Sequence, residues 1–148
     1  MPSTPVPKWL VISFLLLGFI GFIDAGYLTA KYYLGSPVNC AILKGCEIVT
    51  SSKFAMVAGV PIALAGAIYY LVIIFLALLY LDAENKTALI AASLISLAGF
   101  IASLWLLYIQ LFILNALCLY CLASLATTTV LFINGLFLLK YKQWFHGY

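Results

Sequence analysis

Charge is almost absent from long stretches of this chain, and that absence decides what it can fold into. Residues 57–81, 88–115 and 116–139 carry no Asp, Glu, Lys or Arg, and residues 9–34 carry only Asp24 and Lys31. Each stretch exceeds the roughly 20 residues that a helix needs to cross a hydrocarbon core. A soluble domain has about 25% charged residues, whereas here the fraction is 7%, with 67% hydrophobic residues. Lipid is therefore the solvent for most of this surface. The expected architecture is all-α, a polytopic four-helix membrane bundle forming one domain over residues 1–148, with helices near 9–34, 57–81, 88–114 and 116–140.

The same numbers exclude other classes. A chain this apolar has no shortage of surface to bury, so disorder is excluded. The net charge of +3, made of dispersed lysines without arginine, does not suit nucleic acid. The first apolar stretch, residues 10–23, reads as a retained anchor, because Asp24 follows it without an A-x-A cleavage pattern.

Four cysteines stand out against this background. They come as two close pairs, Cys40 with Cys46 and Cys118 with Cys121. Small hydrophobic fillers would be scattered; disulfide chemistry instead needs Cα atoms within about 5.5–6 Å. With four spans, the first and third connections emerge on the same face. Cys40 and Cys46 lie in the first connection, and Cys118 follows the third, a tight turn at Leu114 and Asn115. Both pairs are therefore expected at one end of the bundle. Lys8, Lys86, Lys140 and Lys142 belong to one face, and Lys31, Lys44 and Lys53 to the other. The positive-inside rule then puts the termini in the cytoplasm. The cysteine face is extracytoplasmic, where disulfides persist.

Each pair has its own local chemistry. Asn115 is expected as the N-cap of the fourth helix, which puts Cys118 at the third helical position and Cys121 one turn later. Thiols at a helix N-terminus or in C-x-x-C motifs have lowered pKa and are reactive. In the other pair, Gly45 lets the backbone turn so that Cys40 and Cys46 can meet as a small ring. Pro37 and Asn39 mark the loop entry, and residues 47–54 are expected to form a short surface helix. An exposed pair suits a protein partner and a buried pair suits an apolar oxidant in the membrane, so the two together suggest an electron relay. The rival readings are static bridges or a four-thiolate zinc site. Zinc is disfavoured by the C-x₅-C spacing and by the cost of four thiolates near lipid, so no metal is expected.

Asp24 is either functional, as intramembrane carboxylates tend to be, or structural, bonded to Tyr27 or the bundle interior. Tyr32, Tyr33, Trp144 and Phe145 read as interfacial anchors. His146, opposite the cysteines, is not expected to act as a ligand or proton shuttle. Gly18, Gly21, Ala65 and Ala98 suit helix packing within a bundle or between chains.

Taken together, these residues resemble the vitamin K epoxide reductase family, and its prokaryotic members in particular. The resemblance runs along Asp24-Ala-Gly-Tyr27-Leu-Thr, then Cys40, Gly45-Cys46, Val49, Ser52, Phe54 and Ala55. It continues through Gly59-Val-Pro61, Gly66 and Tyr70, and ends with Cys118-x-x-Cys121. The five residues between the loop cysteines are similar to bacterial members. The resemblance implies a four-helix bundle around a quinone (menaquinone, ubiquinone or a relative), with the loop cysteines on a segment covering the pocket. It implies that Cys40 meets the partner protein, Cys46 exchanges with Cys118, Cys121 faces the quinone and Ser52 helps to hold the loop segment. Bacterial members often carry a fused thioredoxin-like domain, whereas this chain ends at Tyr148, so a separate thioredoxin-like partner is expected. Two positions depart from animal members: Leu125 stands where they have a tyrosine, and Ile62 where they have a quinone-bonding asparagine. The implied activity is thiol:quinone oxidoreduction in support of disulfide formation. The alternatives are epoxide reduction in an endoplasmic reticulum membrane, or a scaffold with static disulfides.

Overall fold

The structure is a computed structural model that describes residues 6–35 and 45–146, with side chains through residue 140. Four helices are long and apolar enough to span a membrane: α1 (Lys8–Leu34), α3 (Ile62–Ala83), α4 (Lys86–Tyr108), which continues into a π-helical turn (Ile109–Leu114), and α5 (Leu119–His146). Between the first two spans lie the short α2 (Cys46–Ser51), a 3₁₀ turn (Lys53–Ala55) and a hairpin of β1 (Met56–Val57) and β2 (Val60–Pro61). The protein is a multi-pass membrane bundle. Cys40, Pro37, Asn39 and Lys44 lie outside the described residues, as do the side chains of Trp144, Phe145 and His146.

The helix ends follow from local chemistry. Gly35 closes α1 in a left-handed conformation (φ 66°), its N–H reaching the Lys31 and Tyr32 carbonyls, as a glycine C-cap should. Glu84 (φ 50°) closes α3, and Asn85 opens α4 by accepting the Thr87 N–H at 3.0 Å. A link this short forces α3 and α4 antiparallel. The second span begins at Ile62, five residues later than its charge-free stretch. Ala58 and Gly59 both adopt positive φ (54° and 80°) between Val57 and Val60, the requirement of a two-residue hairpin turn. That turn consumes residues 56–61, and Pro61, with φ near −64°, then launches α3. The surface helix expected over residues 47–54 is shorter, six residues and then a 3₁₀ turn.

Each spanning helix packs on its sequence neighbour, and α5 closes the ring against α1. Close approach depends on glycines facing bulky partners. A Cβ on Gly18 would sit 2.7 Å from Ile74, and one on Gly21 would strike the Tyr70 ring. Large apolar side chains such as Leu16, Phe75, Trp105 and Phe112 point outward, as lipid-facing residues do. The interior is uneven along its length. Leu10, Val11, Phe14, Ala77, Leu89 and Leu138 fill the end that holds both termini. Asn134 crosses that end, its Nδ2 donating to Ser13 Oγ at 2.8 Å. Toward the other end the packing opens into a cavity.

Candidate functional site

The first turn of α5 organises this open end. A helix start leaves four backbone N–H groups without intrahelical partners, and here all four have one. Cys118 N–H donates to the Gln110 side-chain carbonyl at 2.9 Å. Leu119 N–H donates to the sulfur of Cys46 at 3.2 Å. The N–H groups of Tyr120 and Cys121 point to the sulfur of Cys118. The Cys118 carbonyl accepts the first helical bond, from Leu122 N–H at 3.0 Å. Cys118 is thus the N-cap, its sulfur standing where a serine oxygen usually stands.

This corrects the expectation that Asn115 caps the helix and that Cys118 is its third residue. Asn115 instead ends the preceding span, in a left-handed conformation (φ 50°, ψ 37°) with its N–H on the Gln110 carbonyl. Ala116 N–H reaches the same carbonyl at 3.1 Å. The chain needs residues 115–118 to reverse, so α5 starts only after Cys118. Gln110, buried on the π-helical turn, therefore holds the turn with its backbone and Cys118 with its side chain.

Cys118 and Cys121 are thiols, whereas Cys46 is disulfide-bonded. Cys46, Val49 and Cys118 form one buried cluster, so α2 lies directly over the start of α5. The two cysteine-bearing segments are at one end of the bundle, as connection parity requires. Gly45 permits the contact, though not through unusual backbone freedom, since its φ and ψ are −88° and −9°. A Cβ there would sit 2.6 Å from the Leu117 backbone nitrogen, so only glycine lets the two backbones touch. The Cys118 thiol is held at about 7, below its ordinary value, chiefly because the Cys121 thiol donates to it. The N–H groups of Cys121 and Tyr120 add to the lowering, while burial and the charge of Asp24 oppose it.

Cys121 lies on the wall of a cavity of about 870 Å³, within the roughly 300–1,000 Å³ range of small-molecule sites. Asp24, Ser52, Ile62, Tyr69 and Tyr70 also line it. Ser52 donates to the Val49 carbonyl at 2.8 Å and so ties off the end of α2. Tyr70 reaches across the bundle to Ser124, with 2.7 Å between the hydroxyls. Asp24 does not bond Tyr27 through its Oδ2, which is buried without a partner. Tyr27 instead packs against Tyr120, with ring centroids 5.1 Å apart. Tyr32 donates to the sulfur of Met56 at 3.0 Å and so holds the hairpin, while Tyr33 is exposed. Among the described residues, no three Cys, His, Asp or Glu side chains gather as a metal would need.

Fold and site define a membrane bundle with two neighbouring thiols, one of which, Cys121, lies on the wall of a largely apolar cavity. The model of the vitamin K epoxide reductase family matches residues 12–135, and the chain belongs to that family. The family comprises oxidoreductases that work on quinones or their epoxides. No curated protein matches the chain.

Proposed function

We propose that this protein is a thiol:quinone oxidoreductase that takes electrons from a separate thioredoxin-like protein and supports disulfide formation. The observation that carries this reading is the seating of Cys46. Its disulfide-bonded sulfur rests on the Leu119 N–H beside Cys118, and Cys121 borders a cavity of quinone size.

In this reading Cys40 and Cys46 form the outer disulfide. A partner thiolate attacks Cys40, and the partner's second thiol then releases the partner as a disulfide. The Cys46 thiolate attacks Cys118 of an inner Cys118/Cys121 disulfide and expels Cys121 as a thiolate. Cys40 next attacks Cys46, which frees Cys118 and restores the outer bridge. Finally the inner sulfur–sulfur bond reforms as two electrons and two protons pass to the quinone, giving a quinol. Two partner thiols are consumed and one disulfide is produced for each quinone reduced. The state with Cys46 bridged and Cys118 and Cys121 as thiols corresponds to the moment before the quinone is reduced. Direction follows potential: about 30 mV equals 1.4 kcal/mol for a two-electron couple.

Apolar Ile62 on the cavity wall favours a quinone over an epoxide substrate. The lysine distribution supports cytoplasmic termini and an extracytoplasmic cysteine face. The test is quinone reduction by the purified protein, followed by absorbance. Cys118→Ala and Cys121→Ala should abolish it even with dithiothreitol as the electron source. Cys40→Ala should lose turnover with a protein partner and keep some with dithiothreitol. Equal loss of both activities in Cys40→Ala contradicts the division of labour between the pairs. Bridges that stay oxidised when a reducing partner is supplied without quinone mark a static scaffold.

A further inference from the structure

Buried polar atoms are almost always hydrogen-bonded, because an unmade bond in a low-dielectric interior costs roughly 1–3 kcal/mol. Among the described residues two side-chain polar atoms break this rule, Asp24 Oδ2 and the Tyr69 hydroxyl. Both residues line the same cavity, although they stand on different helices, α1 and α3. Other polar groups in the cavity wall are partnered within the bundle. Tyr70 and Ser124 bond each other, Thr128 donates to Ser103 at 3.1 Å, and Gln110 holds the Cys118 N–H. Space has also been made for the Tyr69 ring, since a Cβ on Gly99 would strike it. A quinone carries two carbonyl oxygens, which accept hydrogen bonds and become hydroxyls on reduction. Ile62 and Leu125 offer those oxygens no side-chain polar atom.

We propose that Asp24 and Tyr69 supply the polar contacts of the quinone, Tyr69 as a hydrogen-bond donor to a carbonyl oxygen and Asp24 as the acid that protonates it. The inference rests on the thiol:quinone reading above. The step balances without an outside reagent. The two thiols give up two electrons as their sulfur–sulfur bond forms, and their two protons end on the quinol oxygens. Asp24 takes a thiol proton and hands it to the carbonyl oxygen. Its position suits this role, because its charge acts on Cys118 and it shares the cavity wall with Cys121. A general acid placed in this way contributes about 10²–10⁴-fold.

The experiment measures quinone reduction with dithiothreitol as the electron source, together with quinone binding to the thiol form by quenching of intrinsic fluorescence. Asp24→Asn should lower kcat at least about tenfold with little change in binding, and added formic acid should restore part of the rate. Tyr69→Phe should weaken quinone binding about three- to tenfold, the loss of one hydrogen bond, with kcat nearly kept. If Asp24→Asn does not accumulate, Asp24→Glu and Asp24→Gln replace it. They match in size, and the glutamate variant should turn over at least about tenfold faster than the glutamine variant. Wild-type rates in Asp24→Asn or Asp24→Gln, or unchanged binding in Tyr69→Phe, overturn the proposal while leaving the oxidoreductase reading intact. A wild-type protein that reduces no quinone overturns both.

Discussion

Gly45→Ala tests how tightly the outer segment must dock. The new methyl carbon would lie 2.6 Å from the Leu117 backbone nitrogen, whereas ordinary contact begins at 3.4 Å. The obstacle is backbone that leads into α5, so it is the outer segment that has to retreat, by at least about 0.8 Å. Cys46 is the next residue, and its sulfur would move with it. The 3.2 Å bond from Leu119 N–H would lengthen to about 4 Å and be lost, since such bonds weaken steeply with distance. Disulfide exchange needs one sulfur delivered in line with another, and a misplacement near 1 Å can cost about 10²-fold in rate. The spanning helices are not touched, so the stability loss should stay within the roughly 1–3 kcal/mol of local overpacking. The assay takes the reduced Cys40→Ala, Cys121→Ala variant, adds diamide as the two-electron oxidant, and follows closure of the Cys46–Cys118 disulfide by gel shift after thiol labelling. A ten- to hundredfold slowing with unchanged helicity is expected. Formation at the parental rate refutes the claim that backbone contact at Gly45 sets the sulfur geometry.

The Cys118 thiol offers a second prediction. Because its value is lowered to about 7, the thiolate is present above that pH and lost as pH falls through it. Ultraviolet thiolate absorbance of the reduced protein should show a midpoint near 7, and Cys121→Ala should move it upward by removing the main donor. Gln110→Leu leaves the Cys118 N–H buried without an acceptor, so thermal unfolding should report a loss of about 1–3 kcal/mol. Gln110→Glu keeps an acceptor oxygen and should lose less.

The gaps between charges located the four spans, because no helix of that apolarity has another home. Connection parity placed both cysteine segments at one end without any knowledge of packing. Where the sequence misled, a backbone turn was the cause. The 57–61 stretch is as uncharged as the helix behind it, yet Ala58 adopts positive φ, a conformation that alanine does not advertise. Asn115 suits either a helix start or a left-handed stop, and the choice depended on the chain reversal after the π-helical turn. That turn, Ile109–Leu114, carries neither proline nor glycine, so nothing local marks it. Gln110 is unmarked for the same reason: a lone amide in an apolar helix gains meaning only when the Cys118 N–H arrives beside it. The sequence offers Gly45 as a turn residue of the loop, whereas its close approach to the Leu117 backbone is a tertiary fact that no local pattern carries.

Dipoles at the beginning of α5 converge on two sulfur atoms belonging to distant parts of the chain. Water solvates a migrating charge by rotating, which takes energy at every transfer. These amides are already locked in orientation by the coil behind them, so negative charge shifting from one sulfur to its neighbour meets an environment arranged in advance. In the exchange proposed above, the reorganisation energy of such a hop would be set by the stiffness of a helix instead of the mobility of a solvent.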